Sequence, residues 1–162
     1  MSKPAWLARL EELLPALGHR NWIVIADAAY PAQTAPGIEL LVAQQTHAEV
    51  LHAVLAALDG CAHVRPTILL DSELGFVREQ DAPGMDQFKA DLKQVVGARP
   101  ARHSAHEEIL AEMDEAGKLY RILVIKTPLN VPYTSVFLHL ECGYWDDEAE
   151  TRLRAAMQRF AE

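Results

Sequence analysis

The chain can be read outward from LGHRNWIVIADAAYPA, residues 17–32. The run WIVIA (22–26) is apolar without interruption, as in a strand covered on both faces. Helices must then lie above and below it, which predicts an α/β layered fold. The pair Gly18-His19 enters the run, Asp27 closes it, and Pro31 follows. In open α/β sheets, ligands collect beyond the carboxyl ends of strands, where Asp27 falls. His19 falls at the other end, and a straight strand rising about 3.3 Å per residue separates the two by well over ~10 Å. They reach one small ligand only if the turn carrying His19 folds back or a second subunit supplies one of them. Taken alone, Asp27 also fits a cap of the following turn, and His19 fits an ordinary loop histidine.

The same alternation continues along the chain. Before the run, Trp6, Leu7, Leu10, Leu13, Leu14 and Leu17 share one helical stripe, with Pro4 near its start. After it, GIELLVA (37–43) predicts a second strand, and Thr46 can cap a helix striped by Val50, Leu51, Val54, Leu55 and Leu58. PTILLD (66–71) predicts a third strand, and Phe88, Leu92, Val95 and Val96 mark the next helix. Ser104 with Glu107 has capping-box spacing for a helix over SAHEEILAEM. YRILVIK (120–126) and YTSVFLHLE (133–141) predict a fourth and a fifth strand. Only a short loop separates them, too little for a parallel crossover, so the pair is expected to be antiparallel and the sheet mixed. A last helix, about 146–161, aligns Ala149, Leu153, Met157 and Phe160. The expectation is one domain over residues 1–162, with helices flanking a mixed β-sheet and an extra helix at the carboxyl end.

Composition narrows the function. Asp and Glu outnumber Lys and Arg 23 to 15, a formal net charge of −8, which argues against nucleic acid and its phosphate backbone. A small neutral ligand suits that balance. No apolar run reaches membrane-span length, and MSKPAWLARLEELL carries acids where a signal peptide needs an apolar core. A cytoplasmic location follows as an expectation, with Cys61 and Cys142 as buried, unreactive thiols. Gly-rich phosphate loops and a Gly-x-Ser-x-Gly elbow are absent from the sequence. His103 and His106 are three apart but need not share a face across a helix start, so no metal site is expected. Trp6, Trp22, Tyr144 and Trp145 are many large aromatics for one small domain and hint at a subunit interface.

The opening segment resembles the signature of the RbsD/FucU family of D-ribose pyranases and L-fucose mutarotases. Gly18, His19, Ile23, Val24, Ala26, Asp27, Ala28 and Pro31 match as they stand. HEEIL (106–110) resembles the family's His-Glu-Glu segment. LVIKTPLNVPYTSVFL resembles the segment with a Thr-Gly-Glu turn, Tyr-Ala-Asn and an apolar strand. The resemblance covers roughly residues 5–143. It implies a three-layer RbsD-like fold, a homo-oligomer with its site near a subunit contact, and cofactor-free interconversion of anomers or ring forms of an aldose such as L-fucose or D-ribose. It further implies His19, Asp27 and His106 as catalytic residues, with Tyr133, Ser135 and Lys126 touching the monosaccharide. Three departures stand out. Ser135 replaces the asparagine of Tyr-x-Asn, Pro128 and Leu129 replace the Gly-Glu of the turn, and Arg20 and Asn21 follow His19. A sugar-binding or regulatory homologue with a degenerate site is the alternative they leave open.

Ring opening asks for a base at the anomeric hydroxyl and an acid at the ring oxygen, both exchanging protons near neutral pH. Histidine suits either task. With Ser104 as cap, His106 falls in the first turn of its helix, where the positive end of the dipole favours the neutral ring.

Overall fold

The computed structural model describes residues 2–161. Its centre is a sheet of six strands in the order β2-β5-β1-β6-β3-β4. The strands are β1 (Trp22–Ala26), β2 (Ile38–Val42), β3 (Val64–Asp71), β4 (Ala101–Ser104), β5 (Ile122–Lys126) and β6 (Val136–Cys142). β1, β2 and β5 run parallel, as do β3 and β4. β6 lies antiparallel between β1 and β3. The sheet is mixed, as the short loop after β5 required.

Every residue of β1 is buried because helices cover both faces. Ile23 and Ile25 point to one face with Leu123, Ile125, Leu138 and Ile68. There they meet α1 (Ala5–Leu13), α2 (His47–Asp59) and α3 (Met85–Val96). Trp22, Val24 and Ala26 point to the other face, against Ile109 and Met113 of α4 (His106–Gly117). The period-2 alternation of a strand thus builds two cores from one run. Fully burying each Val or Ile among them is worth about 1.5–3 kcal/mol. At the start of α2, Thr46 Oγ1 accepts from Glu49 N–H and the Glu49 carboxylate accepts from Thr46 N–H, a complete capping box.

Several expectations change. β4 is an edge strand of exposed, mostly polar residues, with no apolar period to mark it. β5 and β6 run oppositely but do not pair, because β1 lies between them. The connection 127–135 must therefore cross over the carboxyl end of β1. It is pinned there by Thr127 N–H donating to Ala26 O and Ala28 N–H donating to Leu129 O, both at 2.8 Å. Ser104 caps nothing. It belongs to β4, and the residue before α4 is Ala105, which makes no side-chain cap. Trp6 and Trp22 are core residues, whereas Tyr144 and Trp145 are exposed. Cys61 and Cys142 are free thiols of intermediate exposure rather than fully buried. The chain leaves the sheet at Gly143, whose N–H donates to His63 O. A Cβ there would lie 2.5 Å from Ala62 O, so only glycine fits. Beyond it runs α5 (Asp147–Ala161), none of whose residues is buried. No helix among the described residues is long and apolar enough to cross a membrane.

Candidate functional site

The carboxyl ends of β1 and β3, the amino end of α4 and the crossing connection 127–135 meet at one edge of the sheet. They enclose a cavity of about 400 Å³ whose polar walls include Asp27, Tyr30, Asp71, His106, Asp114 and Tyr133. That volume is within the usual range for a small-molecule pocket.

His106 is the best-held group in it. Its Nδ1 lies 2.9 Å from Asp71 Oδ2. An ionised carboxylate only accepts, so Nδ1 carries the proton of that contact, and Nε2 is the ring nitrogen left without a protein partner among the described residues. The backbone N–H of His106 donates to both carboxylate oxygens of Glu73, at 3.0 and 3.2 Å. Glu73 thus does by tertiary contact what Ser104 was expected to do locally. Two carboxylates at the ring and at the helix end offset the helix dipole that the sequence alone suggested. Tyr133 packs edge-on against His106, ring centroids 5.7 Å apart. Its φ of 58° is the left-handed conformation that non-glycine residues rarely adopt. The turn after Pro132 aims the ring into the cavity at that conformational cost.

Asp27 lines the same cavity. Ser135 Oγ donates to Asp27 Oδ1 at 2.6 Å and accepts from Asp27 N–H at 3.2 Å. Ser135 is 3% exposed and does not line the cavity. Expected against the ligand, Ser135 stands behind Asp27 and holds the carboxylate that lines the cavity. Lys126, half-buried at the end of β5, is likewise not part of the wall.

Asp71 was missed in the sequence, although it closes β3 as Asp27 closes β1. It is 1% exposed, and its Oδ1 is buried with no hydrogen-bond partner. Burial pushes its carboxyl above the ordinary range, the His106 hydrogen bond opposes this, and Glu73 and Asp27 add to the upward push. Burial also raises the Tyr30 phenol, with Asp114, Asp27 and Asp71 reinforcing it. Tyr30 therefore stays a neutral donor at the wall. A buried histidine, His47, stands behind the site. Its Nδ1 lies 2.8 Å from Thr127 Oγ1, which itself donates to Ala26 O. Desolvation lowers the ring to about 4, so it is neutral.

His19 is elsewhere in the chain. It is exposed, and its ring lies 6.4 Å from His139 beside Trp22, at the amino end of β1. Gly18 N–H donates to Asn21 Oδ1 and Asn21 Nδ2 donates to Arg121 O, which closes the turn without folding it back. The five-residue strand separates His19 from Asp27 by roughly 17 Å. Within one protomer these two residues do not converge. His103 is also separate: it lines a groove with α3, on the opposite side of the sheet from His106.

A family model described as the RbsD / FucU transport protein family matches residues 1–142. Among solved structures, Bacillus subtilis RbsD complexed with D-ribose is similar at 20% identity and a TM-score of 0.61, covering 87% of this chain and 98% of that one. The fucose mutarotase of Streptococcus pneumoniae in complex with L-fucose is similar at 18% identity and a TM-score of 0.57, covering 85% and 95%. FucU from Bifidobacterium longum gives 19% and 0.56, covering 86% and 98%. No curated protein sequence matches the chain.

Proposed function

Because the chain belongs to the RbsD / FucU transport protein family, we propose that it is a cofactor-free sugar mutarotase or pyranase working at the Asp27–His106 cavity. One observation carries this reading. His106, locked by Asp71 with Nε2 free, shares a sugar-sized cavity with a fixed carboxylate and two phenols. That set can bind hydroxyls and move protons, and the reaction needs nothing more. In ring opening, a base removes the proton of the anomeric hydroxyl. The bond from the anomeric carbon to the ring oxygen breaks, and its electron pair stays on that oxygen, which takes a proton from an acid. Closure of the aldehyde on its other face, or through another hydroxyl, reverses these steps.

His106 Nε2 is the proposed base. Asp27 and Tyr133 hold sugar hydroxyls, while Ser135 and Asp71 position Asp27 and His106. The acid is His19 of a second copy, since the chain's own His19 lies across the sheet. This makes the working unit a homo-oligomer with the site at a subunit contact. The neighbours in complex with D-ribose and L-fucose make these two aldoses the first substrates to try. Magnetisation-exchange NMR on each, with and without the protein, should show accelerated exchange between anomers or ring forms. His106→Ala should return it to the spontaneous rate with the fold intact by circular dichroism. Binding of either sugar without acceleration would select the regulatory reading, which the Ser135 and Pro128-Leu129 departures favour. The absence of both binding and accelerated exchange with every common aldose would reject the proposal.

A further inference from the structure

α5 lies beyond the residues matched by the family model. It begins at Asp147 and holds fifteen residues, none buried. A helix of that length without packing is marginal in water. Its pairs Glu150–Arg154 and Glu148–Arg152 add only a few tenths of a kcal/mol each. Yet its apolar residues are not scattered. Ala149, Leu153, Ala156 and Phe160 recur at spacings of four, three and four, the seam of a coiled coil. Met157 flanks that seam. Leu153 is 41% exposed and Phe160 is 94% exposed, so the described chain does not cover the stripe.

We propose that α5 pairs antiparallel with α5 of a second copy of this chain. Two features of the helix select that occupant and that direction. The first is size. The seam alternates small and large, so a reversed copy sets Ala149 against Phe160 and Leu153 against Ala156, large against small at every layer. A parallel copy would set Phe160 on Phe160 and Ala149 on Ala149. The second is charge. The acids Asp147, Glu148 and Glu150 occupy the first turn, whereas residues 151–161 carry Arg152, Arg154 and Arg159 and no acid. Reversal lays the acidic turn of one copy along the basic half of the other, where Glu148 and Arg152 share a flank with Arg159 of the opposing copy. A parallel pair would repel at both ends. The contact is isologous, the same patch on both copies, and closes as a dimer.

The test uses the full chain and reads α5 alone, because copies can also meet through the sheet domain. In the double variant Ala149→Cys with Phe160→Cys, mild oxidation should give a covalent dimer on non-reducing gels, reversed by reductant. Phe160→Cys alone should stay a monomer on the gel, since reversal holds position 160 far from its own copy. Adding Leu153→Glu to the double variant should abolish the crosslink. It should leave the melting temperature of the sheet domain unchanged, because Leu153 supports no core. Crosslinking by Phe160→Cys alone would show a parallel pair and overturn the proposal. Absence of any crosslink in the double variant, with α5 folded by circular dichroism, would overturn it as well. Native Cys61 and Cys142, each replaced by Ser in all variants, remove their background.

Discussion

At its carboxyl end β1 delivers Asp27 into a cavity where Ser135 fixes it and Asp71 holds His106 nearby. At its amino end the same strand delivers His19 to an open turn beside Trp22 and His139. The first end draws groups from four parts of the chain and buries the carboxylate behind the imidazole. The second end is local. Arg20, with φ of 80°, donates its N–H to Leu140 O and fixes the turn, but the His19 ring faces outward. A buried cluster can be finished within one chain, whereas an exposed imidazole gains a defined environment only from a neighbour. The comparison thus makes one end the proposed binding site and the other a proposed donor to a neighbouring copy's site.

The largest effect tests that division. His19→Ala and His106→Ala should each slow sugar exchange by about 10²- to 10⁴-fold, the usual value of an acid or base. Mixing the two inactive variants, after dissociation and reassembly, should restore part of the rate, because some contacts then combine an intact His19 with an intact His106. Recovery absent from verified mixed oligomers would break the proposed sharing.

Next in size is a pH effect at the carboxyl end. The His47 ring titrates near 4 in the folded chain against an ordinary value of 6.5. Between these values the unfolded chain holds a proton that the folded one lacks, so stability should fall as pH drops from about 6.5 to about 4. The depressed ring accounts for about 3 kcal/mol of that fall at 1.36 kcal/mol per pH unit. Asp71 works in the opposite sense, since its raised carboxyl recovers stability as pH falls through its folded value. Subtracting denaturant curves of His47→Gln from those of the parent cancels Asp71 and isolates the slope. An unchanged slope would mean that the imidazole is solvated.

Ser135→Ala removes one donor to Asp27 and one acceptor for its N–H. A loss of about 1–3 kcal/mol in stability is expected, as for other buried polar groups left unpaired, with weaker sugar binding by titration calorimetry. The smallest contrast concerns the start of α4. Glu73→Ala should cost about 1 kcal/mol, the worth of a cap, while Ser104→Ala should stay within about 0.5 kcal/mol, both read from urea midpoints.

Legibility differed along the chain for physical reasons. WIVIA, GIELLVA, PTILLD and the stripes of α1 to α3 announce themselves because burial on a fixed period leaves a pattern. β4 does not, since its residues ARHS are held by pairing with β3 rather than by burial of their side chains. Asp27 stands out as a carboxylate closing an apolar strand, whereas His106 and Tyr133 are reached through the family resemblance that implies their roles. Asp71 carries the same signal at the end of β3 and was passed over, because its importance depends on a partner 35 positions away. Glu73 could not be found at all from local spacing, and Ser104 with Glu107 imitated a cap that the tertiary structure supplies otherwise.

The sequence by itself determined the layered α/β class, the two-sided burial of β1 and the polar residues at strand ends, because hydrophobic period and chain reach are local properties. Tertiary structure alone decided that β1 separates β5 from β6. It thereby carried the loop of Tyr133 and Ser135 over Asp27, set Asp71 behind His106, and left His19 on the far edge. Those outcomes follow from strand order, and strand order depends on long-range pairing energies that no single stretch of sequence contains.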